Sequence, residues 1–112
     1  KNTNYEWLCN LNPEHETEID CEKWLEIQDS LILVDVRELT EAPRLDAYNP
    51  IEIPIADLKK NRDKLSEKPL IFVCQSGRRS LLAVKTMLEY NPKAVVYSLK
   101  GGVNGMMKKN II

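Results

Sequence analysis

Short apolar runs alternate along the chain with amphipathic segments. Three runs are apolar at every position, namely Leu31–Val34, Leu70–Val73 and Ala94–Tyr97. A continuous run is typical of a strand that is buried on both faces, as in a parallel sheet covered by helices. The pattern predicts an α/β fold with a central, mostly parallel sheet and helices on both of its faces.

The amphipathic segments predict the helices that cover this sheet. Residues 79–90 give the clearest helix, because their apolar side chains cover about half of a helical wheel. Asn91-Pro92 ends that helix, since the residue before a proline disfavours the helical conformation. Asp20 is the predicted N-cap of a second helix, which covers residues 22–28.

Three further segments complete the predicted order of elements. Residues 56–64 are predicted to form a short helix, and another short helix follows the break at Gly101-Gly102. Residues 38–50 contain two prolines and no periodic pattern, so that they are predicted to be mostly loop.

Composition and charge limit the classes of function. The chain has 112 residues, which suits one domain, and a net charge of −1. That balance argues against broad binding to nucleic acid or to a membrane surface. No apolar run approaches the length of a membrane span.

The cysteines indicate the redox environment. There are three, Cys9, Cys21 and Cys74, and no two of them form a C-x-x-C pair. An odd number without that spacing gives little support to a disulfide framework or to a zinc site. We therefore expect a free thiol, no structural metal and a cytoplasmic location.

One segment combines several features of an anion site: Cys74-Gln75-Ser76-Gly77-Arg78-Arg79-Ser80. It joins a predicted strand to a predicted helix, at the sheet edge where α/β proteins bind ligands. Backbone amides and the helix N-terminus attract negative charge there, and two arginines add formal positive charge. A cysteine that ends a buried strand is also a common small core residue. The combination favours a loop that stabilises a thiolate at Cys74.

Four motifs in this order resemble the single-domain rhodaneses, a family of sulfurtransferases. The segment Cys74–Ser80 resembles their active-site loop. The other three motifs are Leu33-Val34-Asp35-Val36-Arg37-Glu38, Ile53-Pro54-Ile55-Ala56-Asp57-Leu58 and Tyr97-Ser98-Leu99-Lys100-Gly101-Gly102-Val103. Together they span most of the chain, from residue 31 to residue 103.

The resemblance implies a rhodanese-like domain over residues 15–112, with a sheet of about five strands. It implies that Cys74 carries sulfane sulfur as a persulfide and that Arg79 closes the loop around it. Residues of the substrate cradle would be Gln75, Ser76, Gly77 and Arg78, and supporting residues would be Asp35 and Arg37. No cofactor is implied, because the cysteine itself holds the sulfur. The expected donor is thiosulfate, a similar small molecule or a persulfide donor protein.

Residues 39–52 depart from the family. Rhodaneses usually have an aromatic residue, Gly-His-Ile and Gly-Ala in this interval, whereas this segment contains neither glycine nor histidine. The resemblance therefore does not predict the path of this loop near the active site.

Two alternatives to a sulfurtransferase remain. A cysteine phosphatase or arsenate reductase has the signature Cys-x5-Arg, which requires arginine at the position of Ser80. A rhodanese module that only binds a partner usually lacks the cysteine, whereas Cys74 is present here.

The first residues suggest a sulfur-carrier partner. Family members begin near their first strand and helix, which here fall between Thr17 and Gln28, so that residues 1–14 form an extension or linker. The stretch Asn4–Cys9 resembles the Tyr-x-x-Phe-Cys tail of enzymes that adenylate sulfur-carrier proteins, several of which end in a rhodanese domain. The implied partner is a sulfur-carrier protein or a covalently linked adenylyltransferase domain. Alternatively, Tyr5 and Trp7 pack on the domain's own surface.

Overall fold

The structure is a computed structural model that describes residues 17–112. Its centre is a five-stranded sheet in the order β1-β5-β4-β2-β3, and every neighbouring pair of strands is parallel. The strands are β1 (Glu18–Ile19), β2 (Ile32–Asp35), β3 (Ile51–Glu52), β4 (Leu70–Val73) and β5 (Val96–Leu99). The predicted parallel sheet is confirmed.

Helices lie on both faces of the sheet. They are α1 (Cys21–Ile27), α2 (Arg62–Leu65), α3 (Arg78–Tyr90) and α4 (Gly102–Lys108), with 3₁₀ segments at Gln28–Ser30, Asp46–Tyr48 and Ile55–Asn61. No helix within residues 17–112 is long and apolar enough to cross a membrane.

The central strand β4 divides the core into two clusters, because successive side chains of a strand point to opposite faces. Leu70, Phe72 and, just beyond the strand, Cys74 belong to the cluster that includes the apolar face of α3. Ile71 and Val73 belong to the other cluster, with residues of α1 and α4. The candidate nucleophile is thus anchored in the core beside the helix that follows it.

Several local predictions are confirmed. Asp20 caps α1, since its side chain accepts a hydrogen bond from the amide of Lys23 at 2.8 Å. The long helix runs from Arg78 to Tyr90, and a short helix follows Gly101. β1 and α1 lie in the interval where the family resemblance places the first strand and helix.

Other boundaries differ from the sequence-based expectations. The last strand begins at Val96 rather than Ala94, because the amide of Ala94 donates to the carbonyl of Asn91 in a turn. The segment predicted as one helix over residues 56–64 is a 3₁₀ segment followed by α2. The predicted loop over residues 38–50 is confirmed as mostly irregular, apart from the 3₁₀ turn at Asp46–Tyr48.

Candidate active site

The loop from Cys74 to Gly77 surrounds the cysteine sulfur with hydrogen-bond donors. Cys74 is fully buried, and its Sγ accepts from the amide of Gly77 at 3.1 Å and from that of Ser80 at 3.3 Å. Both donors lie at the start of α3, where the helix dipole also favours negative charge. An anionic sulfur is therefore stabilised at this position.

This arrangement differs in detail from the predicted cradle. Of the expected cradle residues 75–78, Gly77 supplies one amide to the sulfur, whereas the second amide that contacts it belongs to Ser80. Gly77 makes the turn between strand and helix with φ of 104°, a conformation that other residues rarely adopt.

Two buried hydroxyl groups lie beneath the sulfur. The Oγ of Ser80 is 3.6 Å from the Sγ of Cys74 and donates to the carbonyl of Gly77 at 3.0 Å. Its second neighbour is the Oγ of Ser98 on β5, at 2.7 Å. If Ser80 donates its proton to the carbonyl of Gly77, its oxygen accepts a hydrogen bond from Ser98, so that the two hydroxyls can form a chain from β5 to the loop.

The Gly101-Gly102 turn places the start of α4 against the cysteine loop. Two backbone amides of α4 donate to carbonyls of the loop, that of Val103 to Cys74 at 2.9 Å and that of Asn104 to Gln75 at 3.0 Å. Gly102 has φ of 56°, and a Cβ atom there would lie 2.2 Å from the carbonyl oxygen of Cys74. Only glycine permits this close approach of the two backbones.

The predicted supporting residues reach the loop through Gln75. Arg37 is fully buried and pairs with Asp35, with Nη2 and Oδ2 separated by 3.0 Å. It also donates to the carbonyl of Pro43 at 2.7 Å and to the side-chain oxygen of Gln75 at 3.2 Å. The side-chain amide of Gln75 donates in turn to the side-chain oxygen of Asn104 at 2.8 Å. The side chain of Gln75 is thus used to position the loop.

Arg79 connects the start of α3 to the loop that departs from the family. Its guanidinium forms two hydrogen bonds to the carboxylate of Glu41, at 2.7 and 2.9 Å. These bonds raise the pKa of Arg79 and lower the pKa of Glu41 to about 2. Glu41 is therefore ionised at neutral pH, and Arg79 is neutralised by a local partner.

The remaining predicted residues, Ser76 and Arg78, have exposed side chains. Arg78 has no ion pair or side-chain hydrogen bond within residues 17–112. Its charge is available to a ligand at the loop, in contrast to the charge of Arg79.

The sequence does not predict the contacts that Glu41, Ser80, Ser98 and Asn104 make with the site residues. Ser80 lies within the Cys74–Ser80 motif, where the sequence shows only that it is not the arginine of a phosphatase. Ser98 is the one small polar residue of β5, whose other residues are Val96, Tyr97 and Leu99, and this gives a local signal for it. Glu41 and Asn104 carry no local signal, because their partners are distant in sequence.

The two arginines should respond differently to replacement by lysine. Arg79→Lys loses the two-pronged contact to Glu41, which an ammonium group cannot reproduce. We expect a loss of about tenfold or more in the rate of sulfur transfer. Arg78→Lys keeps an exposed charge that has no ion pair in the described part of the chain, so that it should change mainly the apparent affinity for an anionic donor. Steady-state kinetics with thiosulfate and cyanide would measure both, and equal effects of the two substitutions would contradict this division of roles.

Comparisons with known proteins agree with the fold. The model of the family "Rhodanese-like domain" matches residues 17–109. A Bacillus subtilis relative named "Putative sulfur carrier protein YrkF" is 34% identical over 74 residues, which are 65% of this chain and 40% of that protein. The chain thus spans less than half the length of this curated relative.

Solved structures share the architecture. A rhodanese-related protein from Thermoplasma volcanium superposes with a TM-score of 0.71 and 24% identity, covering 82% of this chain and 91% of that one. An NAD-dependent persulfide reductase from A. fulgidus has a TM-score of 0.63 and 28% identity, covering 79% of this chain and 15% of that one. With a family match over nearly all of the described residues, the chain belongs to the rhodanese-like domain family.

Proposed function

We propose that this protein is a sulfurtransferase that carries sulfane sulfur as a persulfide on Cys74. The observation that carries the proposal is the pair of backbone amides, from Gly77 and Ser80, that donate to the Sγ of Cys74. The family membership and the sulfur-related names of the relatives support a role in sulfur transfer.

The proposed reaction has two balanced steps. The Cys74 thiolate attacks the outer sulfur of thiosulfate, a new S–S bond forms, and sulfite leaves with the electron pair of the broken bond. A thiophilic acceptor such as cyanide then attacks the outer sulfur of the persulfide, and the thiolate is released. Both forms of Cys74 are anionic, so that donors arranged around the sulfur serve each of them.

Access to the sulfur depends on the loop. Cys74 is fully buried, whereas its neighbours Ser76 and Arg78 are exposed. We infer that the loop moves when a donor binds, and that Arg78, whose charge is unpaired within residues 17–112, attracts an anionic donor to that place. This assigns Arg78 to donor binding and leaves Arg79 and Gln75 to hold the loop.

The rival reactions have less support from the site. A phosphatase loop needs arginine where Ser80 places its amide and hydroxyl against the sulfur. A module that only binds a partner has no use for a cysteine whose sulfur accepts two backbone hydrogen bonds.

Intact-mass spectrometry tests the proposal directly. After incubation with thiosulfate, the protein should gain one sulfur atom, and cyanide should remove it. The modified residue should be Cys74 on peptide mapping. An unchanged mass with thiosulfate and with low-molecular-weight persulfide donors would refute the sulfurtransferase assignment.

We further propose that the physiological acceptor is the adenylated C-terminus of a sulfur-carrier protein, in the cytoplasm. Two observations support it: the name of the Bacillus subtilis relative and the resemblance of residues 4–9 to adenylyltransferase tails. Those residues lie outside the part of the chain that the structure describes. The persulfide of the loaded protein should attack the carrier's acyl adenylate, with release of AMP, to give an acyl disulfide with Cys74. A thiol reductant added afterwards should cleave that S–S bond and release the carrier thiocarboxylate, which mass spectrometry detects. Loaded protein that transfers to cyanide yet to no adenylated carrier of the same cell would contradict this acceptor alone.

A further inference from the structure

The charges around the loop are largely cancelled by local partners. Arg79 is held by Glu41 through two hydrogen bonds, and Arg37 is paired with Asp35. Of the arginines within or beside the loop, Arg78 is the one without an ion pair in the described part of the chain. The sequence predicts a strongly cationic site from two adjacent arginines, and the structure contains a much less cationic one.

Glu41 is connected to the cysteine loop through Arg79. Arg79 interacts electrostatically with Cys74 and with Glu38, and the carboxylate of Glu41 lies directly against the Arg79 guanidinium. With its pKa lowered to about 2, Glu41 keeps its negative charge throughout the neutral range. A donor anion at the loop therefore meets a fixed carboxylate as well as the arginines.

We propose that Glu41 determines donor specificity, by disfavouring dianionic sulfur donors relative to monoanionic ones. The proposal rests on the sulfurtransferase function and adds the class of donor that the site accepts. The repulsion energy between a fixed negative charge and a dianion exceeds that for a monoanion by the energy of one additional pair of unit charges. For comparison, two unit charges about 8 Å apart interact by about 1 kcal/mol at an effective dielectric constant of about 40, which corresponds to a factor of about five in affinity.

The test compares two donors of different charge on Glu41→Gln. Thiosulfate is a dianion that releases sulfite, and an aromatic thiosulfonate is a monoanion that releases the sulfinate. Both transfer one sulfur atom to the Cys74 thiolate and leave with the electron pair. Glutamine keeps the size of the side chain and one acceptor for Arg79 while it removes the charge. Because both members of the pair are partly exposed, we expect the variant to fold.

The expected result is a ratio. The kcat/KM for thiosulfate divided by that for the thiosulfonate should rise about fivefold in Glu41→Gln, and the rise should shrink at high salt. Glu89→Gln is the matched control, because it removes the same charge from the exposed far end of α3. Its ratio should equal that of the wild type. A loop that is merely loosened would change the rates with both donors by the same factor, so that an unchanged ratio in Glu41→Gln would overturn the proposal.

A second measurement does not depend on turnover. Sulfate and methanesulfonate, which donate no sulfur, should protect Cys74 from alkylation by the neutral reagent iodoacetamide. Protection by sulfate relative to methanesulfonate should increase about fivefold in Glu41→Gln. If the wild type accepts sulfur from neither donor, the sulfurtransferase function fails, and this assay still decides the role of Glu41: equal protection ratios in the two proteins would refute it.

Discussion

Cys74→Ser is expected to abolish sulfur transfer from thiosulfate to cyanide, with a loss of more than about a thousandfold. A hydroxyl group fills the same space and can accept the same hydrogen bonds from Gly77 and Ser80. It cannot form a persulfide, so that no sulfur is carried between the two half-reactions. Thiocyanate production and intact mass after thiosulfate treatment would both report the loss.

The other cysteines supply the controls. Cys21 is buried in the second core cluster, and its burial, with a contribution from Asp20, raises the pKa of its thiol. It therefore stays protonated and unreactive, and Cys21→Ala should keep most of the activity if the protein folds. Cys9→Ser should also keep it, although Cys9 lies outside the described residues. Substantial transfer by Cys74→Ser, or its loss in either control, would contradict a single sulfur-carrying cysteine.

The fold was predictable where the signal is local. The continuous apolar runs of β2 and β4 identify strands buried on both faces, and Asp20 marks the start of α1. β3 was not predicted because it has only two residues, and it is defined by its pairing with β2 rather than by its own sequence. The start of β5 was misplaced because the apolar pattern continues through the turn that holds Ala94.

In the site, too, the sequence predicts features that lie within one segment and misses contacts between residues distant in the chain. The loop that contains Cys74, Gly77 and Ser80 is one contiguous segment, so that the cysteine, the turn and the helix start were visible together. Glu41 pairs with a residue 38 positions away, and Asn104 with one 29 positions away. Such partners are fixed by the topology of the sheet, which brings the ends of β2, β4 and β5 to one edge.

These distant contacts show how the predicted residues are held. The resemblance assigns Arg79 to closing the loop around the sulfur, and its guanidinium is bound by Glu41. Gln75 was expected in the substrate cradle, and its side chain bridges Arg37 and Asn104. Both residues thereby restrict the conformation of the loop, which leaves the backbone amides to stabilise the sulfur.

Gly102→Ala, in the turn that precedes α4, is expected to have the second large effect, on both stability and persulfide formation. The new Cβ would lie 2.2 Å from the carbonyl oxygen of Cys74 and 2.8 Å from that of Gln75, and both are backbone atoms that cannot turn away. The φ of 56° adds strain for any residue other than glycine. Relief requires the loop to move away from α4, which breaks the hydrogen bonds from Val103 and Asn104.

We expect Gly102→Ala to lower the free energy of unfolding by about 3 kcal/mol or more, and to reduce persulfide formation in the protein that remains folded. Gly105→Ala is the matched control within the same helix, because a Cβ there meets nothing nearer than 3.6 Å. It should stabilise the protein by about 0.5–1 kcal/mol and leave transfer unchanged. Urea unfolding and intact-mass measurements on both variants would test the pair. Similar stability and similar loading of the two proteins would show that the close approach of Gly102 to the carbonyl of Cys74 is not what holds the loop in place.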